Sequence, residues 1–342
     1  MAKQIDYQVS YGTGISNELV NICMGKKVLL VTDDLLWSKY GRIFKKLNPI
    51  LIMTKTMEAI VLEEENKNLP DFDLAIGLGG GMALDIAKFH AWKSQKTLFQ
   101  APTAISMDAM FSYPIALRFE GKVKYVGEII PENIYCDFSI LNTAPPIMNR
   151  SGICDLLSCH TALYDWKLAV NKGLGKMDYE LYEKTVEILK EVKDNVSEIY
   201  DVTEKGIRIL MEGYKFVAVE NYRVGHCQYE EGSEHFFYYC LEALTNKHFL
   251  HGKVINLGIL LMSMLQNNHV DEIIETIKKS GVPIHPASME INYEDIRNTL
   301  RQLNSYVVEK GYSHSILNEK NITEDFISSA LQVLQREFDP EY

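Results

Sequence analysis

The stretch FDLAIGLGGGMALDIAK, Phe72–Lys88, runs from an apolar segment through three consecutive glycines into a segment of helical composition. A strand that turns on glycines into a helix brings bare backbone N–H groups to one point. The glycines allow close approach, and the helix dipole favours an anion at that end. Gly79, Gly80 and Gly81 are therefore candidate phosphate-binding residues. The spacing is not G-x-G-x-x-G, and the turn follows the third strand-like run rather than the first, unlike an ordinary Rossmann fingerprint. A tight turn without a ligand uses the same residues, so the residues alone leave both readings open.

Working outward, KKVLLVT (26–32), NPILIMT (48–54), FDLAIGLG (72–79) and KTLFQAPT (96–103) are short apolar runs separated by amphipathic stretches. That alternation predicts a parallel sheet with crossover helices. RFEGKVKYV (118–126) holds two runs around Gly121 that can pair as a hairpin. At Asn142-Thr-Ala-Pro145-Pro146 the pattern changes, because paired prolines break regular structure. Beyond it apolar residues recur at helical spacing, as in Tyr179, Leu181, Tyr182, Val186, Leu189 and Val192, or Ile207, Leu210, Met211, Tyr214 and Val217. The expected organisation is an α/β nucleotide-binding domain over 1–146 and an all-helical domain over 147–342. Gly281-Val-Pro283 with Pro286 marks a break in the second, and Asn321 to Asp325 reads as the capped start of a last helix.

At 342 residues with 46% hydrophobic and 24% charged residues, the composition is that of a globular protein of about two domains. A formal charge of −11 argues against a nucleic-acid or membrane-surface binder, either of which needs a basic face. It leaves room for a small anion in a local pocket. No apolar run reaches a membrane span, and the opening MAKQIDYQVS has no signal pattern, so a cytoplasmic protein is expected. Cys23, Cys136, Cys154, Cys159, Cys227 and Cys240 include no C-x-x-C pair, which predicts reduced thiols rather than a disulfide framework or zinc-thiolate motif.

Two further strand ends carry polar side chains. Asp33, after Val31-Thr32, either accepts hydrogen bonds from an adenosine ribose, favouring NAD over NADP, or caps the helix starting near Leu35. Ala101 to Ala109 gathers Thr103, Ser106 and Asp108 into one loop, where α/β sheets hold ligands, although such residues are also common in turns. In the second half, Gly232-Ser-Glu-His235-Phe-Phe and Phe249-Leu-His251-Gly-Lys-Val each open an amphipathic helix. Spacing alone does not join His235 and His251 to Asp155, since 80 and 16 residues separate the three.

At these residues the chain resembles the glycerol dehydrogenase and dehydroquinate synthase superfamily, the group III or iron-type alcohol dehydrogenases. The likeness is greatest to its sn-glycerol-1-phosphate dehydrogenase branch. It is carried by Gly152-Ile-Cys-Asp155-Leu-Leu-Ser158, Thr161-Ala162, Asp165-Trp-Lys-Leu-Ala169, Gly232-Ser-Glu-His235 and Tyr312-Ser-His-Ser-Ile-Leu-Asn-Glu319. The resemblance implies a nucleotide-binding α/β domain, a helical domain, and an active site in the cleft between them. It implies a metal, Zn²⁺ preferred over Fe²⁺ or another divalent ion, on Asp155, His235 and His251. It further implies NAD or NADP over Gly79, Gly80, Gly81 and Asp85, with Thr103 and Ser106 facing the cofactor and Asp108 the polyol.

The implied activity is interconversion of dihydroxyacetone phosphate and glycerol 1-phosphate. Unphosphorylated glycerol is the alternative; a cyclase or a non-catalytic homologue is remoter. The implied partner is a small polyol or polyol phosphate, with no nucleic acid and no membrane insertion, and a homo-oligomer is compatible with it. Two departures bear on substrate. Gly252 is followed by Lys253 where the family has Glu, which leaves Lys253 pointing to solvent or adding charge for a phosphate. The loop after Asp108 reads Ala109-Met110-Phe111-Ser112-Tyr113-Pro114, and Met110 and Phe111 are expected to add bulk beside the polyol.

Overall fold

The computed structural model describes residues 5–339; the first four residues of the opening stretch, and the last three of the chain, lie outside them. Two compact units divide between Asn149 and Arg150.

The N-terminal unit is built on eight strands: β1 Val9–Gly12, β2 Val28–Thr32, β3 Ile50–Met53, β4 Leu74–Gly79, β5 Thr97–Pro102, β6 Pro114–Phe119, β7 Lys122–Glu128 and β8 Asn133–Asp137. Its helices are α1 Ser16–Cys23, α2 Asp34–Phe44, α3 Ala59–Lys67, α4 Gly81–Ser94 and the short α5 Phe138–Leu141. Six strands form one sheet in the order β1-β8-β5-β4-β2-β3, every pair parallel. The four apolar runs are β2 to β5, the interior of this sheet except for β3. The residues of β2 and β4 are buried throughout, as expected where both faces are covered. The glycine turn follows the fourth strand in chain order rather than the third, because β1 precedes the runs that composition reveals.

Strand order places that turn at a particular point. From β2 the chain crosses to β3 on one side, then returns so that β4 pairs with β2 on the other, Val31 opposite Gly77. The carboxyl ends of β2 and β4 thus adjoin where the winding reverses, the place at which open α/β sheets hold ligands. β6 and β7 form a separate antiparallel hairpin, with Arg118 opposite Val123 and Phe119 opposite Lys122. Its turn residues Glu120 and Gly121 both have positive φ, 54° and 78°, as a two-residue primed turn requires.

The C-terminal unit has no strand among its described residues. After α6 Pro146–Arg150 come α7 Ile153–Leu157, α8 Cys159–Asn171, α9 Tyr179–Asp194, α10 Val196–Tyr200, α11 Glu204–Val224, α12 Ser233–Thr245 and α13 His251–Gln266. They are followed by α14 Val270–Ser280, α15 Tyr293–Lys310, α16 Ile316–Glu319 and α17 Glu324–Phe338. α13 is apolar on nearly every face and forms the centre of the core with α12, α15 and α17. Gly281, at φ 65°, closes α14 at the predicted break, and Thr323 caps α17 by accepting from Phe326 N. Within α9, Leu181, Leu189 and Val192 are buried, whereas Tyr179 and Val186 are exposed at the rim of the apolar face. No helix among the described residues is long and apolar enough to cross a membrane. None of the six cysteines forms a disulfide among the described residues.

Candidate active site

α7, α12 and α13 bring one cluster of polar side chains together. Two glycines permit it. A Cβ on Gly252, in the first turn of α13, would lie 2.2 Å from the Ser151 carbonyl oxygen just before α7. One on Gly258 would lie 2.6 Å from the Glu234 carbonyl oxygen in α12. Only bare backbone lets α13 approach both segments so closely.

The start of α13 thereby sets His251 Nε2 3.1 Å from Asp155 Oδ1. The His235 and His251 rings lie 5.5 Å apart, tilted by 43°. His235 Nδ1 lies 2.8 Å from Glu234 Oε1, so its Nε2 is the nitrogen left for a ligand. Glu234 is in turn fixed: its carboxylate accepts from Thr161 Oγ1 at 2.6 Å and from Gly232 N at 2.6 Å. Metal-ligating histidines characteristically use their second nitrogen in this way, which fixes ring and tautomer. Asp165 braces the same region from α8, accepting from Ser233 N, Gln266 Nε2 and Ile316 N. Burial pushes its carboxyl up to about 7. Thus Thr161 and Asp165, quoted above only as motif residues, hold the entrance of α12 in place.

The electrostatics favour a cation. Burial alone would raise the Asp155 carboxyl, but the charge and hydrogen bond of His251, the Cys154 thiol and the charge of His235 together hold it below its usual value. Burial would lower His235, yet Glu231, Glu234 and Asp155 raise it to about 9. A carboxylate and two imidazoles, with Asp155 and His235 buried and His251 half-buried, form a donor set that suits zinc or ferrous iron. Cys154 Sγ and ligand atoms of Asp155 and His251 all lie within 4.8 Å of one another. The sulfur donates to Asp155 Oδ1 at 2.9 Å. Tyr238 packs edge-on against His251, ring centroids 4.9 Å apart, and walls one side of the cluster.

In the N-terminal unit, the glycine turn opens α4. Gly80 stands at the N-cap with no side chain capping the first turn, and a Cβ placed on it would meet nothing within 4 Å. Gly79 is closed in, 2.6 Å from the Ala83 Cβ, and Gly81 lies under Met107 Sδ at 3.1 Å, both measured from an added Cβ. The Cβ position of Gly80 is therefore open, and no side chain caps the first turn of α4. Thr103 adjoins the turn, its N–H bonded to the Gly79 carbonyl at 3.0 Å. Thr103 and Ser106 are buried, and the Asp108 carbonyl accepts from Phe111 N and Ser112 N.

Other candidates stand differently from the expectation. Asp33 Oδ1 accepts from Leu36 N at 2.8 Å, so this carboxylate caps α2, and any ribose contact must share it. Asp85 is turned inward: it pairs with fully buried Lys88 at 2.9 Å and accepts from Ala116 N. It anchors α4 rather than extending the open turn. Lys253 does not point to solvent; its ammonium donates to the Ser288 carbonyl at 2.7 Å. Met110 and Phe111 are 1% and 0% exposed and fill the interior of their unit, with Phe111 edge-on to Tyr7. They add no bulk to an open surface. Two residues of the cluster carry no role in the sequence-based expectation. Glu234 was visible as a carboxylate next to His235, and Cys154 counted only among the reduced thiols.

Comparison with known proteins follows the same lines. Residues 13–145 match the family model of iron-containing alcohol dehydrogenases. A glycerol-1-phosphate dehydrogenase [NAD(P)+] of Staphylothermus marinus is 31% identical over 268 residues, 78% of this chain and 74% of the relative. One of Hyperthermus butylicus is 27% identical over 305 residues, 86% of each chain. The crystal structure of a probable glycerol dehydrogenase from Sinorhizobium meliloti has the same fold, with TM-score 0.71 and 17% identity over 96% of both chains. The chain belongs to the iron-containing alcohol dehydrogenase family.

Proposed function

We propose that this protein is a metal-dependent, NAD(P)-linked dehydrogenase that interconverts glycerol 1-phosphate and dihydroxyacetone phosphate. The observation that carries the reading is the meeting of Asp155 and His251 at 3.1 Å, beside a His235 whose ring is oriented by Glu234. Residues from three helices converge there in a negative, buried environment, and the curated relatives bear the name of this activity.

In this reading Asp155 and the Nε2 atoms of His235 and His251 hold a divalent ion, zinc for preference. Bound there, the ion supplies a Lewis acid for the substrate carbonyl. Glu234 keeps the His235 ring in register, and Tyr238 excludes water from one side. The N–H groups at Gly80 and Gly81 would hold the pyrophosphate of a dinucleotide, with Thr103 and Ser106 as further contacts and Asp33 as the candidate for its adenosine ribose. Asp108 is assigned to the polyol by the resemblance alone. The balance is dihydroxyacetone phosphate + NAD(P)H + H⁺ giving glycerol 1-phosphate + NAD(P)⁺, with hydride delivered to C2. The carboxylate at Asp33 favours NAD over NADP, because it would repel a 2′-phosphate.

A second reading, glycerol and dihydroxyacetone as the pair, is favoured by one observation: Lys253 is engaged by Ser288 and so is no ready phosphate ligand. The separating experiment follows NADH and NADPH absorbance with dihydroxyacetone phosphate and with dihydroxyacetone, before and after a chelator. The proposal expects metal-dependent turnover, faster with the phosphate ester. Faster turnover of dihydroxyacetone selects the second reading, and no turnover of either sinks both.

A further inference from the structure

The side chain preceding Asp155 is a thiol, and its surroundings are not those of a cysteine serving only as a small apolar filler. Cys154 is fully buried, but its sulfur faces a carboxylate, donating to Asp155 Oδ1 at 2.9 Å. The same oxygen is 3.1 Å from His251 Nε2. Sulfur, carboxylate oxygen and imidazole nitrogen all lie within 4.8 Å of one another. Around a tetrahedral ion with bonds of about 2.0 to 2.3 Å, neighbouring donor atoms stand roughly 3.3 to 3.8 Å apart. The three atoms need only sub-ångström to ångström adjustments to share one ion. Among the described residues this trio is the one His, Cys, Asp and Glu grouping with such compact donor atoms.

We propose that Cys154 is itself a metal ligand, so that the site takes one sulfur with the oxygen of Asp155 and the imidazole nitrogens, leaves the substrate carbonyl to enter as a fifth ligand, and binds thiophilic ions such as Zn²⁺, Co²⁺ and Cd²⁺ more tightly than the same site without the thiol. The inference rests on the metal reading above and deepens it. On uptake the S–H bond breaks, the sulfur–metal bond forms, and one proton leaves to solvent; no electrons are transferred. Softness decides the preference, since thiolate strengthens binding of zinc-like ions more than of hard ones. A site of one carboxylate and two imidazoles already binds Co²⁺ and Zn²⁺ more tightly than Fe²⁺, and the thiolate enlarges that difference.

The test uses the full-length protein stripped by chelator and titrated with Co²⁺ alone, then with Zn²⁺ and Fe²⁺ in competition. A sulfur-to-cobalt charge-transfer band in the near ultraviolet is expected, absent from Cys154→Ser, together with a loss of Zn²⁺ affinity on the order of tenfold or more in that variant. Circular dichroism establishes that Cys154→Ser is folded; if it is not, Cys154→Ala is read instead, and the wild-type cobalt spectrum stands on its own. Cobalt bound without the band, or with Zn²⁺ affinity unchanged in the folded variant, overturns the thiol ligand and leaves the metal reading intact. Failure of the wild-type protein to bind any of the three ions overturns the metal reading, and the thiol ligand with it.

Discussion

At the scale of single residues, what a carboxylate does is decided by the nearest fixed donor. Asp33 meets the N–H of Leu36 before it meets any ligand, Asp85 meets Lys88, and Glu234 meets both Thr161 and Gly232. Replacing Asp33 by Ala should cost about 1 kcal/mol of stability through the lost cap, while Asp33→Ser should retain most of it. If the carboxylate also disfavours a 2′-phosphate, both variants should lower the preference for NADH over NADPH to a similar extent. Thermal melts and the ratio of kcat/KM values separate the two roles. Unchanged coenzyme preference in both variants would leave Asp33 a cap and nothing more. Neither role could be chosen from the sequence, because Asp after a strand suits both.

At the scale of elements, the junction of β4 with α4 carries the cofactor claim, and its glycines are not equivalent. Gly80 has ordinary φ, −85°, and open space where a Cβ would be. Gly80→Ala should therefore leave the melting temperature nearly unchanged yet raise KM for the dinucleotide, by about tenfold if contact worth roughly 1.4 kcal/mol is lost. Gly79→Ala collides with Ala83 at 2.6 Å and should lower stability as well. An unaltered KM in folded Gly80→Ala would mean that the turn binds nothing.

This junction was legible because three glycines between an apolar run and a helical segment mark a sharp strand-to-helix turn with bare backbone. β1 and β8 were not. They have four and five residues, β1 lies at the sheet edge only partly buried, and neither forms a long apolar run. The starts of α12 and α13 could be read from Gly232-Ser-Glu-His235 and His251-Gly252. Their approach to Asp155 could not, because it depends on backbone contacts made by Gly252 and Gly258. Resemblance supplied the triad; periodicity did not. Met110 and Phe111 were misread for a related reason, since a loop's composition does not say which side chains turn inward.

At the scale of the whole molecule, each unit buries a histidine that is neutral when folded. His90 in α4 and His160 in α8 are both held down by burial from the ordinary 6.5 to about 4. His90 lies between Asn66 and the Glu65 carboxylate. His160 faces Lys193, Glu272 and His269, and Nε2 meets the Asn268 carbonyl at 2.9 Å. Between pH 4 and 6.5 the unfolded chain binds protons at these positions that the folded chain refuses. Their contribution is therefore complete above about pH 6.5 and is lost as pH falls towards 4. Urea midpoints should decline through this window, and less steeply in a folded His90→Gln,His160→Gln variant. Equal slopes would show that other groups set the acid limit.

Whether Asp155, His235 and His251 hold one catalytic metal ion is tested most directly by measuring two quantities on the same samples. They are metal content and NAD(P)H-dependent reduction of dihydroxyacetone phosphate, in wild-type protein and in His251→Ala, with circular dichroism as the check on folding. About one equivalent of divalent metal and turnover are expected in the wild type, and loss of both in a variant whose spectrum is unchanged. A folded His251→Ala that keeps its metal and its activity would contradict the shared metal site.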